Sequence, residues 1–202
     1  DARLVKKLMR DIVLLEVLGF NPVIVHGGGK AISKAMAEAG LEAHFVNGLR
    51  VTTPEAISIV ERTLSGTINP GLVQMFRDYG GKGVGIPGTE IFVGERIHEK
   101  DEQGKPIDIG EVGNVIGCLT ERITEALELQ ITPIVSPLAK ELGTHKPLNV
   151  NADLAAAALA KELKPVKLIY ISDVPGIMKD PSDPSTLIKS VTRTEALDLI
   201  KD

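Results

Sequence analysis

Residues 22–25, Pro-Val-Ile-Val, form a short, wholly apolar run with no polar alternation. Such a run is the mark of a strand buried on both faces of a parallel sheet. It leads through His26 into Gly27-Gly28-Gly29, after which the pattern predicts a helix over about 29–39 that stops at Gly40. Upstream, Leu4, Val5, Leu8, Met9, Ile12 and Leu15 recur at helical spacing opposite Arg3, Lys6, Lys7, Arg10 and Asp11, so residues 3–18 form an amphipathic helix ended by Gly19. Thr53-Pro54-Glu55 combines a capping hydroxyl, a proline at the first helical position and an acid in the first turn. It opens a helix over 54–65, and a second follows over 69–79. Glycine-punctuated stretches at 84–87, 91–97 and 107–115 read as β-hairpins beside the main sheet. Then come a helix over 119–129, a strand over 131–136, a helix over 152–163, a strand over 167–171 and a last helix opened by the capping-box spacing of Thr192 and Glu195. Strands alternating with helices imply an α/β fold: a three-layer α/β/α sandwich with a mostly parallel central sheet, right-handed crossovers and inserted β-hairpins.

Composition narrows the function classes. A formal charge of −4 and 3% aromatic residues give neither clustered cations nor stacking platforms for nucleic acid. No apolar run approaches the roughly 18 residues that span a bilayer, and Asp1-Ala2-Arg3 has no signal-peptide character, which together predict a cytoplasmic protein with no membrane partner. Cys118 is the single cysteine, so no intrachain disulfide forms; its neighbours predict a packed structural thiol rather than a nucleophile. The pattern offers no set of metal ligands.

Four segments carry chemistry. A buried strand running into Gly27, Gly28 and Gly29 and then a helix suits an anion cradle, because glycine lets the backbone approach a ligand and helix-start amides favour negative charge. A purely structural tight turn is the alternative, and neither a dinucleotide fingerprint nor a Walker loop fits, since Ile32 and Ala31 stand where Gly and Ser/Thr would be needed. His26 reads as an orienting hydrogen-bond partner or as a general base. Arg50, between Leu49 and Val51, is placed for a bidentate clamp on a carboxylate or for a salt bridge at a sheet edge. In Leu148-Asn149-Val150-Asn151-Ala152-Asp153, Asn149 and Asn151 share one side if the segment is extended, and Asp153 follows at a helix mouth. These are ligand contacts, or Asn151 or Asp153 is an ordinary helix cap. Ser172-Asp173-Val174-Pro175-Gly176-Ile177 leaves the expected strand end, where α/β sheets bind ligands. The charged tip over 98–108 is a solvated turn or a lid.

Taken in order, His26-Gly-Gly-Gly29, Asn47-Gly-Leu-Arg-Val-Thr52, Gly110-Glu-Val-Gly113, Asn149-Val-Asn-Ala-Asp153 and Ser172-Asp-Val-Pro-Gly-Ile177 closely resemble the acetylglutamate kinase branch of the amino-acid kinase family. The resemblance implies ATP-dependent phosphorylation of the side-chain carboxylate of N-acetyl-L-glutamate in arginine biosynthesis, with Mg²⁺ bound with the nucleotide. It implies that Gly27 and Gly28 offer amides to the substrate and the transferring phosphoryl group, that Arg50 clamps a substrate carboxylate, and that Asn149 holds its other end. Asp153 would organise catalytic lysines with Asn151 as a supporting neighbour, while Ser172, Asp173, Val174, Pro175, Gly176 and Ile177 would border the nucleotide. Residues 1–165 would be mainly the acyl-substrate lobe and 166–202 the start of the nucleotide lobe, in a homo-oligomer that is a dimer or a hexamer of dimers. The family's Lys-x-Gly-Gly strand should precede Asp1 and a second catalytic lysine should lie beyond Asp202, so no catalytic lysine is assigned. The expectation is that residues 1–202 alone turn over little ATP beside a chain extended at both ends. A related aminoadipyl kinase and a non-catalytic amino-acid or nucleotide sensor are the rival readings.

Overall fold

The computed structural model describes residues 2–100, 103–172, 174–180 and 182–199. The chain divides into two compact units, Asp1–Val166 and Lys167–Asp202.

In the first unit, α1 (Ala2–Val17) leads to β1 (Ile24–Val25) and α2 (Gly29–Glu38), followed by a small antiparallel pair, β2 (Phe45–Val46) and β3 (Leu49–Arg50). Gly19 takes the left-handed conformation that closes α1, with Phe20 N–H donating to the Leu15 carbonyl at 3.1 Å. Two separate helices are expected over 54–65 and 69–79, but the structure has one continuous helical run. It consists of α3 (Pro54–Glu61), a π-helical segment (Arg62–Ile68) and α4 (Asn69–Asp78). The π segment loosens the hydrogen-bond ladder immediately before Pro70, whose missing N–H therefore does not end the helix. Thr53 caps the run as expected, its Oγ1 accepting from Ala56 N at 3.2 Å.

β4 (Gly83–Ile86), which the glycine texture suggests is part of a hairpin, is instead an outer strand of the central parallel sheet. That sheet has the order β1-β9-β4, with β9 (Thr132–Val135) in the middle and Ile24 opposite Ile134 and Gly85 opposite Ile134 on its two sides. Residues alternate between the faces, as the strand period requires. Ile134 and Ile24 pack with Met9, Val13, Val73 and Phe76 of α1 and α4. Val135, Val25 and Ile86 pack with Ile123 of α5 (Glu121–Glu128) and with Ala155 and Leu159 of α6 (Ala152–Leu163). This is the three-layer arrangement, and the glycines of β4 make room for it: a side chain at Gly83 would lie 3.1 Å from Phe76 Cδ1. The Glu16 carboxylate ties the end of α1 to the sheet by accepting from Lys82 N and Thr132 Oγ1.

A second sheet has the order β11-β10-β5-β8, formed by β11 (Pro147–Asn149), β10 (Leu138–Glu141), β5 (Phe92–Arg96) and β8 (Gly113–Cys118). β10 and β11 correspond to no expected strand, while β5 and β8 are the antiparallel pair foreseen from 91–97 and 107–115. The charged tip folds as a short pair, β6 (Glu99–Lys100) with β7 (Pro106–Ile107). Cys118 ends β8 half-buried, and desolvation, with Glu162 adding to it, pushes its thiol up to about 11, which keeps it protonated and inert.

Arg96 on β5 joins Glu141 of β10, at 3.0 Å from Nε, to Glu111 in the loop before β8, at 2.6 Å from Nη2. Hydrogen bonds from Arg96 and then Thr144 hold the Glu141 carboxyl below its ordinary value. Because the folded-state pKa is depressed, this contribution to stability is complete above the ordinary glutamate pKa of about 4.3 and is lost as pH falls through the folded value. Arg96→Met should therefore lower stability by about 2 kcal/mol at pH 7 and by much less near pH 3, read as urea midpoints at the two pH values.

In the second unit, the expected strand over 167–171 is absent: Leu168, Ile169, Tyr170 and Ile171 are exposed and pair with no strand among the described residues. A strand is stable only when a neighbour takes up its backbone groups, and local apolar content does not supply one. A turn near Pro184–Thr186 is closed by the Met178–Leu187 bridge, and α7 (Arg193–Leu199) starts with the expected capping box. Thr192 N donates to Glu195 Oε2 at 2.7 Å, and Glu195 N to Thr192 Oγ1 at 3.3 Å.

Candidate active site

Three segments far apart in sequence converge at the carboxyl end of β1. The glycine turn comes first. Gly28 is the N-cap of α2 without a side-chain cap, and its carbonyl accepts from Ile32 N at 2.9 Å. Among the described residues, the backbone N–H groups of Gly27 and Gly28 donate to no protein acceptor. The turn sits at a helix start whose dipole favours an anion. It is also tightly built, because a side chain at Gly28 would lie 2.6 Å from both Leu64 Cδ2 and Ile68 Cδ1. The cradle and the structural-turn readings therefore describe the same glycines.

Arg50 supplies the second segment. It is buried, and its Nη2 donates to the Gly29 carbonyl and to Ser33 Oγ, both at 2.8 Å. Its guanidinium lies 4.7 Å from the centre of the Phe45 ring and makes a 3.7 Å contact with Met36 sulfur. The sheet-edge salt bridge is not what holds it: the arginine is anchored to the first turn of α2, beside the glycines. Burial lowers its pKa, yet a guanidinium is so strong a base that it stays charged at neutral pH.

The third segment is the end of β11 and the start of α6. Asn149 Nδ2 donates to Thr52 Oγ1 at 3.1 Å, and that hydroxyl donates to the Arg50 carbonyl at 2.9 Å. Asn149 and Arg50 are thus two hydrogen bonds apart, through a threonine that sequence reasoning left out of the site. Gly27 faces the start of α6, where a side chain on it would touch Ala152 Cβ at 4.0 Å. Asn151 is the helix cap, its Oδ1 accepting from Asp153 N at 2.9 Å and Leu154 N at 3.1 Å. Asp153 is exposed in the first turn. Asn151→Ala should cost about 1 kcal/mol of stability, with Asn151→Ser losing far less, as thermal or urea unfolding would show.

His26, the last residue before the glycines, is buried, and desolvation pushes its pKa below the ordinary imidazole value. Its Nδ1 lies 3.1 Å from the Gly27 carbonyl and its Nε2 3.2 Å from Asn69 Nδ2. This geometry fits the orienting role. Asn69 carries no motif and lies far along the chain, so nothing in the sequence marks it.

In the second unit, Ser172 Oγ accepts from Val174 N at 3.4 Å, Gly176 has a φ of +146°, and Ile177 accepts from Ile188 N at 2.8 Å. Asp173 lies outside the described residues. Among the described residues there is no cluster of three or more His, Cys, Asp or Glu that would hold a metal, and no helix long and apolar enough to cross a membrane.

Comparison with known proteins gives the setting. The model of the amino acid kinase family matches residues 1–202. The acetylglutamate kinase of Akkermansia muciniphila is 99% identical over 202 residues, covering all of this chain and 68% of that protein. The acetylglutamate kinase of Methanococcus aeolicus is 40% identical over 198 residues, 96% of this chain and 67% of that protein. The chain thus spans about two thirds of the length of these curated relatives. Among solved structures, smu.665 from Streptococcus mutans superposes with a TM-score of 0.75 at 29% identity, over 85% of this chain and 68% of that one. N-acetylglutamate synthase from Neisseria gonorrhoeae shares the fold at 24% identity, with a TM-score of 0.79 over 98% of this chain and 44% of that one.

Proposed function

The chain belongs to the amino acid kinase family, and from that premise we propose that it forms the acceptor-binding part of an enzyme that phosphorylates N-acetyl-L-glutamate with ATP, in arginine biosynthesis. Its acetylglutamate kinase relatives support the reaction. The observation that carries the site is the convergence of the glycine turn, Arg50 and Asn149 through Ser33 and Thr52.

In the reaction a side-chain carboxylate oxygen attacks the γ-phosphorus, the bond from that phosphorus to the bridging oxygen breaks, and an acyl phosphate and ADP result. The transition state is loose and its charge rests on the phosphoryl oxygens, so positioned amides and cations carry the catalysis. The amides of Gly27 and Gly28 meet the acyl phosphate, Arg50 takes a substrate carboxylate through the N–H groups it does not spend on Gly29 and Ser33, and Asn149 holds the far end. The Asp153 carboxylate, at the mouth of α6, keeps cationic groups in place around the phosphates. Mg²⁺ would come with the nucleotide substrate and would offset negative charge on its phosphates. Residues 1–165 serve the acyl substrate, and residues 172–177 border the nucleotide. The test is a hydroxamate assay on the full-length protein: acyl phosphate should form with ATP and N-acetyl-L-glutamate, and its absence with a folded protein would defeat the reading.

A further inference from the structure

We infer that Asn69 is a positioning residue: it fixes the proton of His26 on Nδ1, and through the Gly27 carbonyl it sets the direction in which the Gly28 amide points. The inference rests on the acceptor-site reading above and adds to it a residue outside the three converging segments.

Asn69 Nδ2 lies 2.8 Å from the Ile134 carbonyl and 3.2 Å from His26 Nε2. A carbonyl only accepts, so the amide atom facing it must be the NH₂ group rather than the oxygen. The same NH₂ group faces Nε2, which must then be the unprotonated, accepting nitrogen of a neutral ring. The ring proton is left on Nδ1, 3.1 Å from the Gly27 carbonyl, to which it donates. Burial of the ring favours this neutral form.

Peptide geometry carries the effect onward. In a trans peptide the C=O of Gly27 and the N–H of Gly28 point in opposite directions within one plane. Holding the oxygen towards His26 turns the Gly28 N–H the other way, and that N–H meets no protein acceptor among the described residues. The same stretch of helix holds the other side of the turn, since Leu64 and Ile68 close on the Gly28 Cα and Asn69 follows directly. The π segment thus delivers two apolar contacts, and the first residue of α4 one amide, to a glycine turn that is otherwise free to rotate.

The test uses the full-length protein with ¹⁵N-labelled histidine. The ring nitrogens of His26 should report the neutral Nδ1–H tautomer at pH 7; an Nε2–H tautomer or a cation would overturn the inference. Asn69→Asp replaces the donor with an acceptor of the same shape and should draw the proton to Nε2. kcat should then fall about tenfold to hundredfold, with KM for N-acetyl-L-glutamate changed less than threefold. A moved proton with kcat unchanged would overturn the positioning role. If Asn69→Asp does not fold, Asn69→Ala is read in the same way, with mixed tautomers and a lower kcat expected. If the wild-type protein makes no acyl phosphate, the functional reading fails, and the tautomer readout still decides the Asn69–His26 link.

Discussion

Arg50→Ala should lower kcat/KM for N-acetyl-L-glutamate by about 100-fold while leaving KM for ATP nearly unchanged. The guanidinium is buried against Phe45 and Met36, with its Nη2 on the Gly29 carbonyl and Ser33, so its remaining N–H groups are presented from a fixed platform rather than a mobile side chain. A charge-assisted hydrogen bond to a carboxylate contributes up to about 3 kcal/mol, which is the stated factor. Arg50→Lys should recover little, because an ammonium has neither the planar fork nor the stacking on Phe45. Arg50 also joins β3 to α2, so the urea midpoint must be followed in parallel. A fall in stability of about 1 kcal/mol is expected from the lost neutral-acceptor bonds, too little to unfold the protein and account for the loss of activity. Unchanged kcat/KM in a folded Arg50→Ala protein would remove the arginine from the site.

Gly110→Ala should destabilise the first unit by about 2–5 kcal/mol, a large effect for so small a change. Gly110 has a φ of +74°, which costs an L-residue about 1–2 kcal/mol. An added methyl would overlap the Thr52 carbonyl oxygen and lie 2.8 Å from its carbon, and relieving such an overlap in packed surroundings costs about 1–3 kcal/mol more. The backbone there is not free to yield. Glu111 N donates to the Thr52 carbonyl at 2.6 Å and Thr52 N to the Ile109 carbonyl at 2.9 Å. Thr52 is in turn the residue that links Arg50 to Asn149. The urea midpoint should fall by about 1–2 M, and substrate affinity should fall at temperatures where the protein is still folded. A midpoint within experimental error of wild type would contradict the view that this close approach is rigid.

These two residues show what the sequence exposes and what it hides. Arg50 stands out because an arginine between apolar neighbours invites an explanation, and Asn151 stands out because an asparagine before an alanine-rich run is a helix start. α6 accordingly spans the expected 152–163. The partners are hidden. Ser33 and Asn69 belong to no pattern, Thr52 closes a motif in which only Arg50 was given a role, and each acquires its place only when distant segments come together, as when Asn69 reaches His26 and the Ile134 carbonyl at once. β4 was obscured for a packing reason: the stretch over 84–87 reads as part of a hairpin, yet it is a sheet strand whose Gly83 and Gly85 stand where Phe76 and Asn69 press on it. β10 and β11 are short, the first preceded by Pro137 and the second beginning at Pro147, and prolines locally resemble loop residues. The run over 167–171 errs in the other direction, since its apolar content suggests a strand but no neighbouring strand in the described residues completes it.

In the proposed site the glycine turn, Arg50 and Asn149 hold one small acyl substrate together. Amide chemical-shift mapping of the full-length protein during titration with N-acetyl-L-glutamate tests it most directly. The resonances of Gly27, Gly28, Arg50 and Asn149 should move together and saturate with a single Kd. Saturable binding that leaves these four unmoved, or no binding at all, would contradict the account.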